Sequence, residues 1–154
     1  MIKRQAGKDD LPALLVLYKH LNVDPIPEVN QRITSVWEEI LGDKNHHVLL
    51  IEVDKKAGAA PMLVATCVLL IIPNLTRDAH PYALVENVVT HSDYRKRGYG
   101  KAVLDYAKEI AVAENCYKIM LMTGRKDDET LRFYENAGYN RKDKTAFVQF
   151  LKWI

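Results

Sequence analysis

The sequence predicts a single α/β layer domain over residues 1–154, built on a mixed, mostly antiparallel sheet with a parallel strand pair in its middle. Two observations carry that fold class. Apolar residues recur at helical spacing before His46 and at strand spacing after it. Further on, Tyr82–Thr90 and Tyr117–Thr123 are apolar, strand-like runs joined by one long amphipathic helix. A strand, helix and strand of that length make a right-handed crossover with parallel strands. With 154 residues the chain can bury one sizeable core and is too short for two ordinary domains.

The elements follow in order. Met1–Ala6 is a short strand ended by Gly7, and Asp9 or Asp10 caps a helix with Leu11, Leu14, Leu15, Tyr18 and Leu21 on its apolar face. Pro12 falls in the first turn, where it is tolerated. Asn22-Val23-Asp24-Pro25-Ile26-Pro27 breaks the pattern. A second helix runs from about Glu28 with Val29, Ile33, Val36, Trp37 and Ile40 on one side, and Gly42 stops it. Two early helices of this kind form a wall over something else. His47–Val53 and Met62–Ile72 are an antiparallel strand pair around a polar turn at Asp54–Pro61, and Pro73 ends the second. After the loop Asn74–Pro81 comes the strand Tyr82–Thr90. The helix after it keeps Tyr99, Val103, Tyr106, Ile110 and Ala113 on one face. Beyond Tyr117–Thr123, Asp127 or Asp128 caps a short helix through Ala137, Gly138 ends it, and Thr145–Trp153 is a final strand.

Composition narrows the function. The chain is 48% hydrophobic and 27% charged, with a net charge of +2, which describes a soluble globular protein with no global pull toward nucleic acid. Cys67 and Cys116 form no Cys-x-x-Cys pair and sit among apolar residues, as buried thiols do in a reducing cytosol. No apolar leader opens the sequence, and Cys67–Pro73 is too short an apolar run to cross a bilayer, so the expected place is the cytoplasm, unanchored. The five histidines have no metal-ligand spacing, so no metal is expected. Neither a Gly-x-Ser-x-Gly elbow nor a nucleophilic cysteine context is present.

The most informative stretch is Val85–Lys101. An apolar strand stops at a turn that opens into Arg95-Lys96-Arg97-Gly98-Tyr99-Gly100-Lys101, and a helix follows at once. N–H groups at a helix N-terminus lack intrahelical partners and carry partial positive charge, glycines permit close backbone approach, and cations add Coulombic attraction. That is a recipe for a phosphate site. The glycine spacing matches neither a P-loop nor the three-glycine dinucleotide fingerprint.

What it does match is Arg-x-x-Gly-x-Gly at Arg95, Gly98 and Gly100, after a strand carrying Glu86-Asn87-Val88-Val89. This resembles the acetyl-CoA-binding motif of the GNAT N-acetyltransferase superfamily. Downstream, Leu131-Arg132-Phe133-Tyr134-Glu135-Asn136-Ala137-Gly138-Tyr139 is similar to the second signature of the same superfamily, in the right order and at the right separation. The resemblance covers roughly the C-terminal half. It implies a fold in which the two parallel strands splay apart at the centre of the sheet, with helices on both faces. It also implies acetyl-CoA as co-substrate, its pantetheine along Val88 and Val89, beside Tyr134, and its pyrophosphate on Arg95, Lys96, Arg97, Gly98, Gly100 and Lys101.

Acetyl transfer needs a neutral amine and a proton for the departing thiolate. A thiol titrates near 8.5 and a phenol near 10, so a tyrosine can donate to the thiolate yet stays protonated at neutral pH. Tyr134, in the superfamily's Phe-Tyr position, is the candidate acid. Glu86 is the candidate base, or else a residue that only binds substrate. Period-2 alternation places it with Val88 and Thr90 on one face, and a carboxylate on an apolar strand is best accommodated by a cleft. Many superfamily members carry an asparagine seven residues before the tyrosine; here Asp127 stands there, where it either contacts the pantetheine or only caps the helix. The function implied is direct acetyl transfer in a ternary complex to a primary amine, on a small molecule as in the glucosamine-6-phosphate-type members. A protein or peptide acceptor and a non-catalytic acyl-CoA-binding regulatory module are the alternatives. By the same resemblance a homodimer through Thr145–Trp153 is expected; the near-neutral charge and the lack of a long apolar run leave no nucleic-acid or membrane partner expected.

Overall fold

A computed structural model describes residues 1–21, 25–54 and 60–152. The break expected at Asn22–Pro27 and the turn expected at Asp54–Pro61 fall partly outside these residues, as does Trp153. The strands are β1 (Ile2–Gln5), β2 (His46–Val53), β3 (Met62–Ile72), β4 (Tyr82–Thr90) and β5 (Ile119–Leu121). The helices are α1 (Leu11–Tyr18), α2 (Gln31–Gly42), α3 (Tyr99–Ala113) and α4 (Asp128–Asn136). The chain divides into two compact units, Met1–Leu121 and Met122–Ile154.

The first unit holds the whole sheet, in the order β1-β2-β3-β4-β5. All pairs are antiparallel except β4 with β5, which is parallel as the crossover predicts. Among the described residues the parallel pair stands at the end of this order rather than in its middle, and residues 145–152 form no strand. β2 and β3 supply the centre, with Leu49, Leu50, Ile51, Val64, Ala65, Cys67 and Leu69 wholly buried. Burying one such aliphatic side chain is worth about 1.5–3 kcal/mol, so this central pair dominates the unit's stability.

Both faces are covered. On one, Leu11 and Leu14 of α1 and Trp37 of α2 pack with Val48, Leu50 and Val68. On the other, the Cys67 Sγ lies 3.8 Å from the Val103 carbonyl of α3. The buried stripe of α3 is Gly100, Val103, Leu104, Ala107 and Ala111, rotated from the tyrosine-bearing face the sequence suggests. Glycine and alanine let the helix axis approach the sheet, while Tyr106 stays half-buried at its flank.

Polar contacts set the α1/α2 layer in place. Arg4 of β1 is clamped between Asp10 and Glu52, with 2.6 Å to the Asp10 carboxylate. Asp10 also accepts the Gly7 N–H at 2.6 Å, which pins the short 3-10 turn before α1 instead of capping α1 itself. The hydrogen bond from Arg4 holds the Asp10 carboxyl below its usual range. The Trp37 indole N–H donates to the Lys8 carbonyl at 3.1 Å, tying α2 to the same turn. α2 starts at Gln31 rather than near Glu28 because Asn30 caps it, accepting the Ile33 N–H at 3.0 Å.

In the second unit α4 is capped by Asp127 and ends against Gly138, which takes the left-handed φ of +95°. The terminal strand expected at Thr145–Trp153 does not form over the described residues. Phe147 and Leu151 are 93% and 87% exposed. Alternating apolar residues state only that a strand is affordable; a ladder exists where a partner edge supplies hydrogen bonds. β5 is likewise shorter than Tyr117–Thr123, its register with β4 running only from Ala83–Ile119 to Val85–Leu121.

Candidate active site

The site begins with an irregularity in β4. Val68 of β3 faces Glu86, while Thr66 faces Val89, so Asn87 and Val88 together stand opposite the single residue Cys67. That is a β-bulge, and Asn87 absorbs it with φ +51°, a left-handed conformation that asparagine tolerates better than most residues. The bulge overturns the alternation read from the sequence. Val68 packs with Leu11, Leu14 and Trp37, so its partner Glu86 lies on the α1/α2 face. Thr66 is partnered by Leu50 of the same cluster and by Val89, which puts Val89 on that face too. Glu86 therefore shares a face with Val89, and Val88 and Thr90 turn to the other side.

Beneath Glu86 is a cavity of about 360 Å³ between α1, α2 and the sheet. Leu11, Leu14, Ile33, Val36, Trp37 and Val68 are among its apolar walls, and Tyr18, His46, Glu86 and Asn87 are its polar ones. Sequence reasoning placed Tyr18 in the helical core and gave Asn87 no role. The structure brings both to the lining of this cavity, and burial pushes the Tyr18 phenol up to about 12. A tyrosine among leucines on an apolar face was the available signal. Burial also lowers the His46 imidazole below its usual value.

The second half of β4 has a second property. β5 pairs with Ala83, Leu84 and Val85 and stops, so β4 continues through Glu86–Thr90 beyond the end of that pairing. Val88 and Val89 lie on this stretch, where the resemblance sets the pantetheine.

Five residues past β4 comes the basic loop. Arg95 is a brace rather than a free cation, since its Nε donates to the Thr90 carbonyl at 3.3 Å and its Nη2 to the His20 carbonyl at 3.2 Å. Lys96 has φ +59°, and Gly98, at φ +85°, is the N-cap of α3. No side chain caps this helix, and the first i→i−4 bond runs from Ala102 to Gly98 at 2.9 Å. The N–H groups of Tyr99, Gly100 and Lys101 thus have no acceptor within the helix. A Cβ built on Gly98 would meet nothing within 4 Å, so the space before the helix is open. The Arg97 guanidinium lies 5.1 Å above the Tyr94 ring, and the Lys101 ammonium is 2.6 Å from Asp105 one turn on. Exposed cations around uncapped N–H groups fit a diphosphate of the kind acetyl-CoA carries.

In the second unit, Tyr134 lies on α4 with its ring 5.0 Å from that of Phe133 and 6.4 Å from that of Tyr139. Asp127 is fully engaged locally. It accepts the Thr130 N–H at 2.9 Å and the Arg125 Nε at 3.0 Å, and the Thr130 bond holds its carboxyl at about 2. Neither thiol is poised for chemistry, since burial pushes Cys67 up to about 12 and Cys116 above its ordinary value. Among the described residues no group of three or more His, Cys, Asp or Glu could hold a metal ion. No helix there is long and apolar enough to cross a membrane.

The model of the acetyltransferase (GNAT) family matches residues 14–139. A glucosamine 6-phosphate N-acetyltransferase from Trypanosoma brucei brucei is 33% identical over 82 residues, 53% of this chain and 54% of that protein. The aligned part thus spans about half the length of that relative. A putative acetyltransferase from Agrobacterium tumefaciens superposes with a TM-score of 0.85 at 39% identity, covering 97% of this chain and all (100%) of that one. Glucosamine-6-phosphate N-acetyltransferase from Arabidopsis thaliana superposes with a TM-score of 0.81 at 23% identity over 98% of both chains, a likeness of fold alone.

Proposed function

Because the chain belongs to the acetyltransferase (GNAT) family, we propose that it moves the acetyl group of acetyl-CoA to a primary amine by direct attack in a ternary complex. The observation that carries this reading is the bulge at Asn87 and Val88, which turns Glu86 into a cavity while β4 runs on, free of β5, toward an uncapped glycine helix start. The family match runs across both compact units, which supports reading 1–154 as one functional domain.

When bound, acetyl-CoA supplies an activated thioester carbonyl. Arg97, Lys96, Lys101 and the N–H groups around Gly98 and Gly100 hold the diphosphate, and Arg95 keeps their loop in shape. The backbone of Val88 and Val89 orients the pantetheine arm. Glu86, directly or through one water, takes the proton of the ammonium so that the nitrogen lone pair can attack. A C–N bond forms, the nitrogen sheds its second proton to solvent, the C–S bond breaks, and the electron pair leaves on sulfur. Tyr134, on the strength of its motif, gives that thiolate a proton, so the products are an amide and the free thiol of CoA.

A cavity of about 360 Å³ suits a small molecule better than a folded protein surface. Glucosamine 6-phosphate is named for two of the relatives above and so belongs among the acceptors tested. Two free cysteines suit a cytoplasmic protein, and the exposed Phe147, Val148, Phe150 and Leu151 support a homodimer formed through the terminal segment.

The test is release of CoA thiol from acetyl-CoA across a panel of amines, aminosugars and peptides. Amine-dependent release is expected, and Tyr134→Phe should bind acetyl-CoA as before while losing turnover. Binding of acetyl-CoA without release for any acceptor would leave the regulatory-module reading instead.

A further inference from the structure

We infer that the acceptor is a primary amine on a compact apolar body, seated in the cavity between α1 and α2 with its ammonium at Glu86, and not a sugar phosphate. The inference rests on the acetyl-transfer reading and deepens it by naming the substrate class.

The chemistry of the lining decides between the two classes. Among the described residues that line the cavity there is no Lys and no Arg. A phosphate monoester carries close to two negative charges near neutral pH, and removing it from water without a cation or several donors is strongly unfavourable. The ionisable groups here do not compensate. Glu86 is a carboxylate, and the Tyr18 phenol and the His46 imidazole are both shifted toward their neutral forms by burial. A sugar's ring of hydroxyls would face Leu11, Leu14, Ile33, Val36 and Trp37, whose side chains offer no acceptors. The Trp37 N–H is already given to the Lys8 carbonyl at 3.1 Å.

The same lining complements an alkyl or aryl amine. One carboxylate at one end meets one ammonium, and the apolar walls meet the carbon skeleton. A cavity of about 360 Å³ is at the small end of the range for ligand sites, roughly 300–1,000 Å³. Val36 is 45% exposed and Pro27 is exposed, so the gap opens to solvent on the α2 side and admits a ligand without unfolding the core. Each methylene buried there should improve specificity roughly fourfold until the space is filled.

The experiment compares kcat/KM for thiol release across linear 1-aminoalkanes from three to eight carbons, phenethylamine and glucosamine 6-phosphate. Stepwise gains along the alkylamines are expected, with glucosamine 6-phosphate at least a hundredfold below the best of them. Val36→Trp, a change at an exposed position that narrows the mouth, should lower the ratio of long-chain to short-chain kcat/KM more than tenfold. A flat chain-length profile, or glucosamine 6-phosphate as the better acceptor, overturns the inference. If no acceptor releases thiol, the acetyl-transfer reading fails separately. Calorimetry with hexylamine then decides the cavity alone: binding weakened by Glu86→Gln sustains it, and no binding overturns it.

Discussion

The two halves of β4 are one continuous strand with opposite duties. From Ala83 to Val85 it has neighbours on both sides, and its burial alternates cleanly, with Ala83 and Val85 0% and 1% exposed. From Glu86 to Thr90 it keeps β3 on one side only, carries a bulge, and shows a carboxylate and an amide to a cavity. The first half spends its hydrogen-bonding capacity on the sheet, and the second withholds part of it. Hydrogen-bonding groups that the sheet does not use are the ones a ligand can use, so in the proposed function stability and turnover occupy adjoining segments of the same strand.

That division predicts that changes in the two halves separate turnover from stability. The largest effect expected is from Glu86→Gln. kcat/KM should fall about 10²–10⁴-fold, the acidic limb of the pH–rate profile should vanish, and the melting temperature should hardly move. An unchanged acidic limb would reduce Glu86 to a substrate-binding group. Val85→Ala, one residue earlier, should do the reverse, costing about 2 kcal/mol in denaturant unfolding with turnover retained in the folded fraction. Gly98→Ala comes next. Its φ of +85° strains any L side chain, so a loss of about 1–2 kcal/mol is expected together with a raised KM for acetyl-CoA.

The smallest effect is a control away from β4. Arg4→Met removes the partner of Asp10 and Glu52, which are partly solvent-exposed, so the cost should be about 1 kcal/mol or less with turnover intact. Its pH dependence follows from Asp10. Arg4 holds that carboxyl below its usual 3.8, so the folded protein binds the proton less readily than the unfolded chain. The stabilisation is fully present above 3.8 and fades as the pH falls through the lower folded value. Melting curves of the two proteins should differ at neutrality and converge in acid.

Residues that act through local chemistry were legible in the sequence. The helix start behind the glycine loop, the helix stop at Gly138 and the switch from helical to strand period at His46 all needed only neighbouring residues to be seen. Asp127 was legible as to type but not role, since one carboxylate can serve a helix cap or a ligand; its bonds to Thr130 and Arg125 account for both oxygens. The bulge was hidden. Glu86-Asn87-Val88-Val89 alternates plausibly in either register, and the choice is made by what Cys67 and Val68 face across the ladder.

By itself, then, the sequence determined the order of elements through α4, the strand–glycine–helix segment and the family of the chain, because each is written in contiguous residues. Only the tertiary structure decided which face Glu86 takes, that Tyr18 and Asn87 join it at one cavity, and that Thr145–Trp153 gains no ladder over its described residues. Those outcomes depend on pairing and packing between residues distant in sequence, and a strand's propensity cannot specify its partner.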